Sequence, residues 1–421
     1  MLASPSDDAG RAATPRPAAK LTEIMTLPIN FATDLTELAQ ADALRTRSVV
    51  ESAQGPRLTI DGRQYLAFAS NDYLGLANDA HLIEAAKNAI DRYGVGAGAS
   101  HMVSGHMAPH HELEMALARF MGMDSALYFG SGYAANLGIL TSLAVRGDNI
   151  FADKLNHACL NDGALLSNAN FHRYAHGDLN KLRSLLAAQA NNAPNGRRSV
   201  VVTDAVFSMD GDLADLPAIL KLADQFDALL VIDDAHGFGV LGETGRGSLQ
   251  HFSLKSDRIV YMATLGKAAG GYGAFVAGNA DVIEWILQTA RTYLFSTATP
   301  PMIAAALLES LKIIDEDQAR RAHLHDLIAG FTASLELKNS ALKFSETAIQ
   351  AIIIGENNHA LYFANELKKR GIWVPAIRPP TVPRGTARLR VSLNAGHTTA
   401  DVTELIVALT AIDALLPDAS K

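Results

Sequence analysis

The stretch RIVYMATLGKAAGGYGAFVAG, Arg258 to Gly278, decides how the chain folds. Ile259 to Ala263 is a short apolar run and Ala274 to Ala277 is a second, with a Thr/Gly/Lys turn and a glycine-rich segment between them. Apolar runs of that length, bounded by glycine, predict two buried strands. The link is too short for a crossover helix, so the pair is expected to be antiparallel. Lys267 then lies in a turn between buried strands. Burial favours the neutral amine, and a neutral amine can form a Schiff base with a carbonyl. The plain alternative is a solvated turn lysine.

Upstream of this stretch, apolar strands alternate with helical spacing. Strands are expected over Ala126 to Phe129, Asn149 to Ala152, Phe171 to Tyr174, Val200 to Thr203 and Leu229 to Ile232. Between them fall helices at Tyr133 to Val145, from Ala158, at Leu179 to Ala190 and at Leu216 to Phe226, and a further helix at His111 to Met121 precedes them. The alternation predicts an α/β fold, a mostly parallel seven-stranded sheet wrapped by helices, with one strand reversed at an edge. Polar groups should gather at the carboxyl ends of its strands.

Around that core the pattern changes. Residues 1–30 are rich in Ala, Pro, Ser and Thr without a sustained period and read as a disordered or loosely docked tail. Arg11, Arg16 and Lys20 allow a transit-peptide reading; Asp7, Asp8, Pro5, Pro15 and Pro17 argue against a basic amphipathic helix. A helix at Leu35 to Arg47 and a hairpin of Arg57 to Ile60 with Tyr65 to Phe68, turning at Asp61-Gly62, make up an N-terminal segment over 31–69. Tyr93 to Gly105 is too glycine-rich for a helix or central strand and reads as a close-approach loop or a linker. Ser296 to Pro301 is the expected boundary between a large domain, 70–300, and a smaller α+β domain, 301–421. That smaller part should hold one long helix from Ile303 to Leu335, strands Ala348 to Ile354 and Arg388 to Leu393, and helices Ala360 to Arg370 and Ala400 to Ala411.

Composition narrows the function. The 421 residues exceed one ordinary core, and 48% of them are apolar. Lys+Arg 36 against Asp+Glu 44 gives a net charge of -8, which offers no basic field for nucleic acid or an anionic membrane. Small molecules and further copies of the chain are the expected partners. The single cysteine, Cys159, excludes an intrachain disulfide and agrees with a cytoplasmic setting. No apolar run approaches the roughly 18 residues that a membrane helix needs.

Several strand ends carry polar groups. Gly130-Ser131-Gly132-Tyr133 lies between a strand and a helix, where free amides can bind a phosphate; Ser131 as a simple N-cap is the alternative. His157 follows the second strand and, on its own, reads as a surface or core histidine before a ligand contact. Asp204 and Ser208 flank an acidic run ending at Asp212 that matches no Ca²⁺-loop spacing. Leu229 to Ile232 runs straight into Asp233-Asp234-Ala235-His236, placing a carboxylate and an imidazole at the sheet edge. A metal centre on Asp233 and His236 lacks a third ligand at suitable spacing. A carboxylate beside a heterocyclic nitrogen keeps that nitrogen protonated. A Schiff-base lysine, a phosphate-binding helix start and such a carboxylate together match the demands of pyridoxal 5'-phosphate.

At this point the chain resembles the α-oxoamine synthase family of fold-type I pyridoxal-phosphate enzymes. The resemblance rests on SNDYLGL (70 to 76), SGYAAN (131 to 136), FSMDGD (207 to 212), DDAHGFGVLGETGRG (233 to 247), TLGKAAGGYG (264 to 273) and AIRPPTVPRGTARLR (376 to 390). It implies that Lys267 is the Schiff-base lysine, Asp233 the partner of the pyridine nitrogen and His236 the contact to the ring hydroxyl. It further implies that His157 stacks on the ring, with Gly132, Tyr133, Ser208 and Thr264 lining the cofactor. Arg390 corresponds to the arginine that grips the amino-acid carboxylate, a group suited to a guanidinium fork. Arg45, Asn71, Arg378 and Thr381 match substrate positions, and Ser296 and Thr297 match residues that reach the phosphate across a dimer interface. An obligate homodimer follows from the resemblance.

The run Arg378-Pro379-Pro380-Thr381 favours members that condense L-alanine with pimeloyl-CoA or a pimeloyl-acyl carrier protein and release CO₂. The alternatives are a sister enzyme using glycine or serine with another acyl-CoA, and a non-catalytic cofactor-binding scaffold. Ala99-Ser100-His101 and Phe295 depart from the family's usual residues. Gly270, Gly271 and Gly273 are expected to leave room for substrate.

Overall fold

A computed structural model of the chain describes residues 31–192 and 197–416. Contacts divide it into two units, Met1–Thr46 and Arg47–Lys421. The expected N-terminal tail lies outside the described residues. In the first unit the helix α1 (Phe31–Gln40) starts before Leu35 and stops well short of Arg47. Asp42 takes a positive φ of 51°, a conformation that cannot continue a right-handed helix.

The second unit opens with the hairpin β1 (Arg57–Ile60) and β2 (Arg63–Ala67). Asp61 and Gly62 both have positive φ, as a tight hairpin turn requires. A helix absent from the sequence reading, α2 (Ala80–Tyr93), follows, capped by Asp79 and ended by Gly94 at φ 74°. The glycine-rich stretch after it closes in a single π turn, His101–Gly105, before α3 (Ala108–Met121).

The alternation then appears as expected: β3 (Ser125–Phe129), α4 (Gly132–Leu143), β4 (Asn149–Asp153), α5 (Ala158–Leu166), β5 (Asn170–Tyr174) and α6 (Leu179–Asn192). It continues through β6 (Ser199–Asp204), α7 (Leu216–Gln225), β7 (Leu229–Asp233), α8 (Ser248–His251), β8 (Ile259–Thr264) and β9 (Ala274–Gly278). The seven strands order β3-β9-β8-β7-β6-β4-β5. Only β9 runs antiparallel to its neighbours, and it is the second strand, not the edge strand expected from sequence. Ser125 to Phe129 pair with Gly278 to Ala274, so β3 covers the edge that β9 would otherwise expose.

Strands β6 to β9 are buried on both faces, which explains their near-continuous apolar sequence. Val201, Leu230, Ile232, Tyr261 and Phe275 enter one core, while Val200, Val202, Val231, Val260, Met262 and Val276 enter the other. The alternation of the strand pleat thus divides one sheet between two packed layers.

Helices α9 (Ala280–Thr289) and α10 (Arg291–Leu294) lead to α11 (Pro301–Glu316) and α12 (Gln318–Ser334). The expected single long helix is two, because the Asp317 carboxylate accepts the Arg320 amide at 3.0 Å and starts a new helix. The remainder is β10 (Ala341–Leu342), β11 (Ile349–Gly355), α13 (Asn357–Lys369), β12 (Ile372–Trp373), β13 (Ala376–Ile377), β14 (Ala387–Ser392) and α14 (Thr399–Asp413). A four-stranded sheet orders β10-β11-β14-β13, and β12 joins β2 in parallel. Phe68 and Ser392 meet by a backbone hydrogen bond of 2.9 Å, bringing β14 beside the loop that leaves β2. Among the described residues no helix is long and apolar enough to cross a membrane.

Candidate active site

The turn after β8 delivers Lys267 to His236, with Nζ and Nε2 2.6 Å apart. His236 Nδ1 lies 2.6 Å from the Tyr73 hydroxyl, which donates to Asn71 Oδ1 at 3.1 Å. Arg390, on β14, donates to Asn71 Oδ1 at 3.1 Å and to the Tyr73 oxygen at 3.3 Å. Since the Tyr73 hydrogen goes to Asn71, His236 Nδ1–H donates to Tyr73 and Nε2 accepts from Lys267. Burial, then Lys267, Arg390 and His157, hold the His236 imidazole well below its usual range and therefore neutral. Burial also lowers the Lys267 amine to about 8, with Arg390 adding to the fall and Asp233 opposing it. A lysine at that value has an appreciable neutral fraction near neutral pH.

Asp233 ends β7, directly across from Asp204 at the end of β6. Its Oδ2 accepts from Asn136 Nδ2 at 2.7 Å and its Oδ1 from the Ala235 amide at 3.0 Å. His157 caps α5, and its backbone N–H donates to Asp204 Oδ2 at 2.7 Å. Its ring Nδ1 lies 2.8 Å from Cys159 Sγ. Burial pushes the His157 imidazole down, and Asp233 and Lys267 act on it in opposite senses. The neighbouring Asp234 has a different task. Its Oδ2 accepts from the Ser248 amide at 2.6 Å and from the Tyr261 hydroxyl at 2.8 Å, and burial raises its carboxyl to about 7.

Gly132 and Tyr133 head α4, where backbone amides have no intrahelical acceptor. Ser131 is an N-cap, accepting the Ala134 amide at 3.1 Å. A Cβ built on Gly132 would come to 3.9 Å from both Met262 and Thr264, so the glycine leaves a hollow between α4 and the end of β8. The Tyr133 hydroxyl donates to Asp162. Thr264 donates to the Gly273 carbonyl at 2.9 Å, and Ser208 offers its carbonyl to Arg390 Nε at 2.6 Å. These donors suit pyridoxal phosphate: helix amides for a phosphate, a carboxylate for a pyridinium and a weakly basic lysine for an aldehyde.

Ser296 and Thr297 line a cavity of about 220 Å³ with Gly130, Ser131, Tyr272 and His101. Arg378 and Thr381 share a turn after β13, the Thr381 amide donating to the Arg378 carbonyl at 3.1 Å. Arg45 belongs to the first unit. The structure thus brings Lys267, His236, Asn71 and Arg390 into one hydrogen-bonded chain, and Asp233 and His157 into another.

From sequence, Tyr73 and Asn136 have no role of their own, and Cys159 only that of the single thiol. Tyr73 lay inside a quoted motif, and Asn136 closed another, so motif membership was the available signal. The expectation for Gly270, Gly271 and Gly273 is overturned. A Cβ on Gly270 would lie 2.5 Å from the Ala77 amide, one on Gly271 2.5 Å from Leu307, and one on Gly273 2.6 Å from the Phe129 carbonyl. Gly270 and Gly273 are bare for close approach to backbone and Gly271 to seat the Leu307 side chain, so the space beside them is filled by the protein itself.

Residues 63–409 match the aminotransferase class I and II family. An 8-amino-7-oxononanoate synthase of Methylobacillus flagellatus is 55% identical over 373 residues, 89% of this chain and 93% of that protein. A solved serine palmitoyltransferase from S. paucimobilis, with PLP and myriocin bound, superposes with a TM-score of 0.85 at 28% identity, covering 92% of this chain and 97% of its own. The solved 8-amino-7-oxononanoate synthase of Francisella tularensis gives a TM-score of 0.71 at 31% identity, over 82% and 97% of the two chains.

Proposed function

Because the chain belongs to the aminotransferase class I and II family and, within it, to the α-oxoamine synthases, we propose that it condenses L-alanine with a pimeloyl thioester. The products are 8-amino-7-oxononanoate, CO₂ and the free thiol, a step of biotin biosynthesis. The fold is type I of the pyridoxal-phosphate transferases. The observation that carries the reading is the buried chain from Lys267 through His236 and Tyr73 to Arg390.

Bound pyridoxal phosphate supplies an aldehyde for Schiff-base chemistry and a protonated pyridine that draws electrons from the α carbon of alanine. Asp233 would hold the pyridine proton, fixed for that task by Asn136 and the Ala235 amide. Gly132 and Tyr133 would offer amides to the phosphate, with Ser208 and Thr264 lining the site and Ser296 and Thr297 contributing at its rim. His157 would support the ring face. His236, kept neutral, places a nitrogen beside Lys267 and orients its amine.

Arg390 grips the alanine carboxylate, its guanidinium held by Ser208, Asn71 and Ser392. That grip presents the α hydrogen to Lys267, whose neutral amine takes it as general base. A new bond from that α carbon to the thioester carbonyl would expel the thiolate, and loss of CO₂ from the β-keto acid with return of a proton to the α carbon would complete the reaction. Arg45, Asn71, Arg378 and Thr381 are read as substrate contacts.

We read the protein as a cytoplasmic homodimer, which the exposed apolar Val95, Met102, Val103, Tyr272 and Phe295 support. We also read Ser296 to Pro301 as the border between a large cofactor domain and a smaller C-terminal one. The test is CO₂ release with L-alanine, glycine or L-serine against pimeloyl-CoA, pimeloyl-acyl carrier protein and other acyl-CoA thioesters. Turnover confined to glycine or L-serine would overturn the alanine assignment. Light scattering checks the dimer.

A further inference from the structure

Asn136 is a polar side chain wholly buried in α4, and its two ends are treated differently. Oδ1 has no hydrogen-bond partner among the described residues. Nδ2 lies 2.7 Å from Asp233 Oδ2 and 3.1 Å from Cys159 Sγ. A carboxylate only accepts, so the atom facing Asp233 is the amino group, and its second hydrogen points to sulfur. The thiol therefore keeps its own hydrogen free to donate. Burial, with Asp233 adding to it, pushes the thiol far above its usual range, which keeps that hydrogen in place. The acceptor within reach is His157 Nδ1 at 2.8 Å, and the Cys159 amide approaches the same nitrogen at 3.3 Å. Two donors on Nδ1 leave it unprotonated.

We propose that Asn136 is a positioning residue that, through the Cys159 thiol, ties the Asp233 carboxylate to His157 Nδ1 and holds His157 as the neutral Nε2–H tautomer. The chain Asn136 N–H, Cys159 S–H and His157 Nδ1 is ordered in one direction by the requirement of Asp233 for a donor. It makes the carboxylate assigned to the pyridine nitrogen and the imidazole assigned to the ring face one unit. The other charged groups that bear on His157 are Lys267 and Asp162, and Asp204 takes its backbone amide. The proposal rests on the cofactor reading only for what Asp233 and His157 would touch; the tautomer belongs to the chain itself.

Cys159 is the single cysteine of the sequence, so Cys159→Ala and Cys159→Ser alter the only thiol. The experiment is nitrogen NMR of ring-labelled histidine in the full-length protein, loaded with pyridoxal phosphate and again without it. His157→Gln identifies the resonance. In wild type, His157 is expected as Nε2–H across neutral pH. Cys159→Ala should raise its titration midpoint by about one pH unit, a tenfold gain in imidazolium at a given pH. Cys159→Ser, which keeps an O–H donor, should return it to near wild type. Asn136→Ala should move it in the same direction as Cys159→Ala, with no further change in the double variant.

A wild-type Nδ1–H tautomer, or a Cys159→Ala protein with wild-type ring shifts and titration, would overturn the proposal. If Asn136→Ala fails to fold, the two Cys159 variants decide the matter alone. Failure of the cofactor reading shows separately, as no visible absorbance band on adding pyridoxal phosphate.

Discussion

His236 and His176 stand at the same carboxyl edge of one sheet and are driven to opposite charge states. His236 is packed against Lys267 and near Arg390, and burial among cations keeps it neutral. His176 sits between Asp153 at 3.1 Å and Asp212 at 2.7 Å, and these two hydrogen bonds raise it to about 9. Asp212 in turn approaches Lys343 at 3.8 Å, while Asp210 pairs with Lys343 at 3.1 Å and with Arg388. The acidic run that ends at Asp212 is thus neutralised by cations from three other segments. One imidazole is kept neutral beside the lysine, and the other ties the end of β4 to the Asp212 loop. Neighbours, not residue type, separate an active group from an anchor.

That contrast breaks most sharply at Lys267. Lys267→Ala should cut CO₂ release from L-alanine and pimeloyl thioester by at least about a thousandfold while leaving the melting temperature near wild type. Residual turnover close to normal would remove the lysine from the mechanism. His236→Ala should lower kcat by about a hundredfold or more, again with little loss of stability. A large fall in thermal stability with intact kcat would make His236 an anchor like His176.

A smaller effect follows from the depressed Lys267 amine. The rate at which the protein stripped of cofactor takes up pyridoxal phosphate should rise about tenfold between pH 7 and pH 9, as an amine titrating at about 8 becomes neutral. Stopped-flow absorbance reads it, and a flat profile would show that the free amine does not limit uptake.

The smallest effect belongs to His176. Its side chain is 29% exposed, so His176→Gln should cost only about 1 kcal/mol of stability with kcat nearly unchanged. The sign with pH is definite. A histidine raised in the folded state stabilises fully below its unfolded value near 6.5, and that support is lost as pH climbs through about 9. Melting curves of wild type and His176→Gln should therefore converge between about pH 7 and pH 10, and a gap that widens instead would contradict the assignment.

Much of this was legible in the sequence. The apolar runs named all seven strands within a residue or two, because β6 to β9 are buried on both faces and carry little polar interruption. The place of the reversed strand was not legible, since β3 meets β9 through a pairing of Ser125 with Gly278 that no local pattern encodes. The break at Asp317 was signalled by a capping residue that the helical period concealed. Lys267, Asp233 and His236 stood out because each directly ends or follows a strand. Tyr73 and Asn136 did not, because their partners, Arg390 and Asp233, lie far away along the chain and only folding identifies them.

The bare glycines behind Lys267 bear on redesign. Gly270 presses on the backbone of Leu76 and Ala77, so the lysine turn and the SNDYLGL loop are seated on each other without an intervening side chain. Anyone wishing to change the substrate range would be tempted to treat GGYG as spare volume. It is closer to a keystone joint: one methyl group at position 270 would collide with the backbone of Leu76 and Ala77 and force the two loops apart. On the reading proposed above, reshaping of the substrate range would start instead at the turn around Thr381, which is exposed.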